Sequence, residues 1–296
     1  MATWMDTVDM LRLRSLRLLG ARSRLLQTSL GTMHTVDWRG TGTRPPIVLI
    51  HGLASCAADY GPLMRWLRRR HARLIAPDLP GHGHSSTPTV PLTAERMTTA
   101  LLEMMDHVVD EPVIVFGNSL GGIAAIRYAL LRPERVLALA LASPGGAPMD
   151  WAELETFKKG FDLSTGTAAI DFTHRFLGAP QPGMNWIARG VRVRMGRPGP
   201  RSLLENVSPG VLLTPAELRS LQVPTLVLWG DEDEVLPRAC RRFFSENLPP
   251  YGRFEAMPGF GHSPYLDDLG AFGARVQAFV DGVLKTRTPR RIARVS

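Results

Sequence analysis

One serine in this sequence sits where a serine can be made to react. Gly117-Asn118-Ser119-Leu120-Gly121-Gly122 follows the apolar run Val113-Ile-Val-Phe116 and opens the apolar stretch Leu120–Leu131. This is a G-x-S-x-G turn between a strand and a helix. Glycines on both sides permit a turn too tight for side chains, and the turn lifts the hydroxyl clear of the strand ends. A helix beginning there also points free N–H groups and its positive dipole end at the same spot. A serine hydroxyl is a weak nucleophile at neutral pH, so an imidazole must take its proton and a carboxylate must orient that imidazole. No cluster of His, Cys, Asp and Glu has zinc-ligand spacing, and this chemistry calls for neither a metal nor another cofactor.

Such groups need a scaffold. Ile47–His51, Leu74–Pro77, Val113–Gly117, Val136–Ala142 and Thr225–Gly230 read as strands buried on both faces, with Phe254–Met257 a weaker last strand and His34–Arg39 an edge strand. Helical patterns alternate with them at 62–70, 92–109, 120–131, 238–247 and 267–284. That alternation predicts an α/β fold with a mostly parallel central sheet flanked by helices. From 144 to 221 the pattern breaks, with no buried strand and with Trp151, Phe157, Phe161, Phe172, Phe176 and Trp186 among Gly and Pro. We read that stretch as an inserted helical cap, and 31–143 with 222–284 as the core.

Four ordered landmarks resemble the α/β-hydrolase superfamily. Ile47-Val-Leu-Ile-His51-Gly52-Leu53 is similar to its strand ending in His-Gly, and Pro77-Asp78-Leu79-Pro80-Gly81-His82-Gly83-His84-Ser85 to the loop after its next strand. The turn at Ser119 is the third landmark. Leu226-Val-Leu-Trp-Gly230-Asp231-Glu232-Asp233 followed by Gly259-Phe260-Gly261-His262 is similar to its acid and histidine loops. The resemblance implies Ser119 as nucleophile, Asp233 as acid and His262 as base, with an oxyanion hole from the backbone N–H groups of Leu53 and Leu120. Asp231 is the nearest competitor for the acid, and a position around Asp150 a more distant one. Asp78, His82 and His84 are scaffolding in that pattern.

The resemblance implies a serine hydrolase cleaving a carboxylic ester of an apolar substrate through an acyl-enzyme. Serine at 119 argues against the dehalogenases and epoxide hydrolases of this fold, which use a carboxylate. The G-N-S-x-G-G form also resembles hydrolases of carbon–carbon bonds in ring-fission products, although their Gly-rich oxyanion segment is replaced here by His51-Gly52-Leu53. Acyl transfer and a non-catalytic ligand-binding protein on the same fold are further readings. Candidate substrate contacts are Asn118, which could instead fix the turn, and Tyr60, Phe157, Met184 and Trp186. Cys56, just past the oxyanion segment, reads as a small buried residue rather than a reactive thiol.

The chain of 296 residues carries a net charge of +8, with the excess at its ends. Residues 1–30 hold five arginines against Asp6 and Asp9, residues 285–296 hold five basic residues and no acid, and the rest is balanced. With no nucleic-acid motif between these ends, nucleic-acid binding is not expected. Residues 10–26 read as a basic amphipathic helix, with Leu11, Leu18, Leu19, Leu25 and Leu26 on one face and Arg14, Arg17 and Arg24 on the other; Leu13 and Leu16 fall off the stripe and Arg22 within it. Such a helix packs on its own domain, forms part of a leader, or lies on a membrane surface. Asp6 and Asp9 precede interrupted leucines, unlike a secretory signal, and two cysteines make no disulfide framework, so a cytoplasmic location is expected. The sequence says nothing about oligomeric state.

Overall fold

The computed structural model describes residues 3–179 and 182–287. The basic tail therefore lies outside the described residues from 288 onward. Eight strands form one sheet: β1 (Arg22–Thr28), β2 (Gly31–Arg39), β3 (Ile47–Ile50), β4 (Arg73–Pro77), β5 (Val113–Asn118), β6 (Val136–Ala142), β7 (Thr225–Gly230) and β8 (Arg253–Met257). Their order is β1-β2-β4-β3-β5-β6-β7-β8, with β1 and β2 antiparallel at one edge and β3 to β8 parallel. Every residue of β3, β5 and β7 is buried, because helices cover both faces. The apolar runs that mark these strands in the sequence are the result of that double burial.

The helices are α1 (Trp4–Leu18), α2 (Gly61–Arg68), α3 (Ala94–Val108), α4 (Leu120–Leu131), α5 (Trp151–Lys159), α6 (Gly166–Phe176), α7 (Met184–Met195), α8 (Pro198–Asn206), α9 (Pro215–Arg219), α10 (Arg238–Asn247), α11 (Pro264–Asp267) and α12 (Leu269–Arg287). One core gathers Met97, Leu101, Met104, Tyr128 and Phe244 from α3, α4 and α10. The opposite core gathers Leu16, Leu63, Met64, Phe272 and Phe279 from α1, α2 and α12. Between β6 and β7 all the described elements are helical, α5 to α9, with a small core of Leu163, Phe172, Ala188 and Met195 resting on Ala54 and Val235.

The N-terminal region corrects the sequence reading. The helix spans Trp4–Leu18, not residues 10–26, and Arg22–Thr28 is an edge strand paired with β2 rather than part of a leader. Gly20, at φ 97°, ends the helix in a left-handed conformation, and the N–H of Ala21 turns back to the carbonyl of Leu16 at 3.0 Å. From there the period is two: Leu26 packs on a core while Leu25 is exposed. The face assignment also reverses. Met5, Asp9, Leu13 and Leu16 face inward, while Leu11 and Leu18 face out.

The site follows from this topology. β3 and β5 are neighbours, yet β4 lies on the far side of β3, so the chain's direction of travel reverses between them. In open α/β sheets such a reversal leaves a crevice at the carboxyl ends of the strands. Leu53 follows β3 and Ser119 follows β5. Asp233 and His262 follow β7 and β8 on the same edge.

Candidate active site

Ser119 is held at φ 54° and ψ −119°, a conformation that costs a non-glycine residue energy and that its surroundings enforce. A Cβ on Gly117 would come within 2.2 Å of the carbonyl oxygen of Gly121, and one on Gly121 within 2.0 Å of that of Ile50. The turn can therefore close only with glycine at both positions. Leu120 opens α4, so its N–H lies outside the helix's own ladder. Leu53 and Leu120 border the same cavity as Ser119. The neighbouring segment is strained as well, with Ala54 at φ 57°.

Asp233 accepts the N–H groups of Val235 and Leu236 on Oδ1, at 2.9 and 3.2 Å, and meets Nδ1 of His262 on Oδ2 at 2.8 Å. Both side chains are almost wholly buried, at 0% and 4% exposed. Burial by itself raises the pKa of Asp233, but the His262 charge and these hydrogen bonds outweigh it and hold the carboxyl below its ordinary value. Asp231 points elsewhere, 2.7 Å from Arg241. Asp150 is the N-cap of α5, accepting the N–H of Glu153. The acid and histidine loops lie back to back, since a Cβ on Gly230 would reach within 2.1 Å of the carbonyl oxygen of Gly261. His262 borders the cavity beside Ser119 and packs on Phe176, ring centres 5.8 Å apart.

The substrate candidates divide. Asn118 is 3% exposed and its amide is spent on structure: Nδ2 donates to the carbonyls of Ala142 and His262 at 2.9 and 3.1 Å, and Oδ1 accepts from Ser263 and Tyr265. It ties the turn at Ser119 to the histidine loop, the second of its two readings from sequence. Tyr60 does not line the cavity; it is fully buried, donates to the Ile50 carbonyl at 3.2 Å and packs on Phe116 and Tyr265. Its aromatic ring is core because the short turn Ala57–Tyr60 before α2 directs it into the cluster with Phe116, Tyr265 and Phe272. Trp186 stands at the cavity mouth, 47% exposed, and Phe157 lines the wall, while Met184 lies outside the lining.

Two cavities meet at Ser119. One, of about 550 Å³, runs along α4 between Leu102, Ile123, Leu154, Phe157 and Leu203, past the Arg127–Glu217 ion pair to Leu131. The other, of about 380 Å³, passes His262 and opens between α1 and α7. Its wall carries Asp59 and Arg194, which belong to a buried charge cluster invisible in the sequence. Arg194 pairs with Asp9 of α1 and, at 2.5 Å, with Asp59, which also meets Arg12 at 2.6 Å. Asp9, Cys56 and Asp59 lie close enough to ligate a metal, yet the Arg194 guanidinium already fills the space between them. Burial pushes the Cys56 thiol well up, and burial likewise pushes the Cys240 thiol up to about 12, so neither is a thiolate nucleophile.

The wider comparisons agree with this architecture. Residues 45–269 match the family model described as the alpha/beta hydrolase fold. A pimeloyl-[acyl-carrier protein] methyl ester esterase of Stenotrophomonas maltophilia is 30% identical over 259 residues, covering 82% of this chain and 95% of that one. Among solved structures, a bacterial membrane phospholipase A superposes with a TM-score of 0.78 at 24% identity, over 93% of this chain and 92% of that one. The carboxylesterase CesB of Bacillus subtilis superposes with a TM-score of 0.75 at 23% identity, over 95% and 99%. Sheet order, strained turn and sequence match coincide, and the chain belongs to the α/β-hydrolase fold family.

Proposed function

We propose that this α/β-hydrolase cleaves a carboxylic ester with an apolar acyl part, through an acyl-enzyme on Ser119. The observation that carries this reading is the buried 2.8 Å contact between Asp233 and His262, on a cavity whose wall includes Ser119 in its strained turn. In the proposed reaction the Ser119 Oγ attacks the ester carbonyl and its proton passes to His262. Asp233 fixes the imidazole tautomer and stabilises the imidazolium. The N–H groups of Leu53 and Leu120 receive the oxyanion, each such donor contributing on the order of 3 kcal/mol to the transition state. Collapse expels the alcohol, which takes the proton from His262. Water, deprotonated by the same imidazole, then releases the acid and restores Ser119.

The two cavities suit the two halves of an ester. The apolar arm fits the acyl chain: from Ser119 to Arg127, α4 rises about 12 Å, the reach of a medium-length chain. The arm toward α1 fits the leaving alcohol. The esterase relatives support ester cleavage over carbon–carbon cleavage. Both cysteines are free and buried, which suits a reducing cytoplasm.

The test is labelling by a fluorophosphonate probe, with turnover of p-nitrophenyl esters from acetate to decanoate. Labelling is expected in the native chain and absent in Ser119→Ala, with KM falling as the acyl chain fills the apolar arm. Labelling without ester turnover would replace this reading with carbon–carbon cleavage or acyl transfer. No labelling of a folded sample would make the chain a binding protein.

A further inference from the structure

α1 and α3 are both fifteen residues long and both lie on the outside of the molecule, yet their outer faces differ. The exposed residues of α3 are Glu95, Arg96, Thr99, Asp106 and His107, an ordinary solvated face. Those of α1 are Trp4, Thr7, Met10, Leu11, Arg14, Ser15, Arg17 and Leu18. Leu11 is 55% exposed and Leu18 80%. Packing does not account for this, because Met5, Leu13 and Leu16 already seat the helix on the domain. Just beyond, Trp186 of α7 extends the apolar surface, its ring 5.2 Å from that of Trp4.

The charges are sorted as well. Both acids of α1 are turned toward the cap, Asp9 onto Arg194 and Asp6 onto Arg197. What remains most exposed is apolar or cationic, with Arg14 and Arg17 beside the leucines and only the uncharged Thr7 and Ser15 between, while Asp6, paired with Arg197, keeps 41% of its side chain exposed at the margin. An apolar stripe flanked by arginines, its acids neutralised from behind, complements an anionic lipid surface: the side chains enter the headgroup boundary while the guanidinium groups meet phosphates. A protein partner of mixed charge would gain nothing from this sorting. The second arm of the active-site cavity opens on the same edge, with Met5, Ser15 and Leu16 of α1 and Trp186 and Ile187 of α7 in its wall.

We propose that the outer face of α1, continued by Trp186, docks the enzyme on an anionic lipid bilayer and sets the cavity mouth against the lipid. Docking is independent of the reaction at Ser119, so the two are tested separately.

The experiment is sedimentation of the full-length protein with vesicles of phosphatidylcholine alone or mixed with phosphatidylglycerol. Native protein is expected to pellet with the mixed vesicles. Two variants, Leu11→Asp/Leu18→Asp and Arg14→Glu/Arg17→Glu, should each lower the pelleted fraction by roughly five-fold or more. Neither pair lines the cavity, so both variants should hydrolyse a soluble short-chain ester, or bind the fluorophosphonate probe, as the native chain does. That control separates failed docking from a misfolded sample. Native protein that stays in solution with both vesicle types would overturn the proposal. So would variants that pellet like the native chain, which would place binding on the basic C-terminal residues. A native dimer that the same variants dissociate, without vesicle binding, would make the face a contact between copies.

Discussion

Two buried charge clusters border the cavity at Ser119, and they were built by different rules. In one, Asp233 and His262 meet at 2.8 Å on loops that leave neighbouring strands β7 and β8. In the other, Arg194 of α7 joins Asp9 of the N-terminal helix to Asp59 of the turn before α2, partners up to 185 positions apart. The first is imposed by local backbone: a strand ends, a glycine lets two loops touch, and the side chain is aimed by the turn. The second is imposed only by the tertiary packing of an insertion against a terminus. Asp59 also accepts the N–H of Cys56, so this second cluster braces the segment that follows Leu53. The candidate site assembled at strand ends thus leaves marks in short stretches of sequence, while the charges that hold its walls leave none.

The sharpest way to break the comparison is within the first cluster. Asp233→Asn leaves the shape but lets the amide hold the wrong imidazole tautomer, and kcat should fall roughly 10⁴-fold, with the circular dichroism spectrum unchanged. Asp231→Asn loses only a surface contact to Arg241 and should retain near-native turnover. If the two variants swapped behaviour, the acid would be the other carboxylate and the glycine spacing would have misled.

The second cluster should respond in stability. Arg194→Met removes the main counter-charge of the cluster, leaving Asp59 with Arg12 alone and Asp9 with only longer contacts to Arg12 and Arg197, and removing one partner of a buried pair costs about 3–5 kcal/mol. The pH dependence gives a second check. Burial raises the pKa of Asp59, but Arg194 and Arg12 outweigh it and hold the carboxyl well below its usual range. Its stabilisation is therefore present above the unfolded value near 3.9 and is lost as pH falls toward the depressed folded value. Burial already holds the Asp9 carboxyl above its ordinary value with Arg194 in place; in the variant it rises further while Asp59 loses part of its depression, so protonation on mild acidification relieves the variant. The stability deficit, read from urea midpoints, should be largest at neutral pH and shrink as pH falls to about 5. A deficit independent of pH would mean that Arg194 acts by packing and not by charge.

The same contrast explains what the sequence told. The strands β3 to β7 and the helices α2, α3, α4, α10 and α12 were legible because two-sided burial writes continuous apolar runs and the crossovers write helical periods; β8, largely unburied, gives a weaker signal, and β2, read as the edge strand, is covered on its outer side by β1. Ser119 was legible because Gly117 and Gly121 are sterically forced. α1 and β1 were misread because leucines every three or four residues suit an exposed face as well as a buried one, and because Gly20 was not weighed as a helix stop. Arg194 and Asp59 were missed because an isolated Arg or Asp on a helical or turn segment reads as solvated until its partner is known.

Tyr60 gives the smallest effect and a test of where the cavity ends. An aromatic ring suits an apolar pocket, which makes Tyr60 a substrate candidate, and its neighbour Asp59 does line the second cavity. The ring instead turns under the sheet against Phe116 and Tyr265, and its hydroxyl is occupied by the Ile50 carbonyl. Tyr60→Phe keeps the ring and deletes one buried hydrogen bond, so it should cost about 1 kcal/mol of stability. KM across the ester series should not move. A several-fold change in KM for bulky alcohols, at unchanged acyl-chain preference, would show that the Tyr60 hydroxyl reaches the leaving-group arm after all. The boundary between wall and core would then lie one layer deeper than the geometry places it.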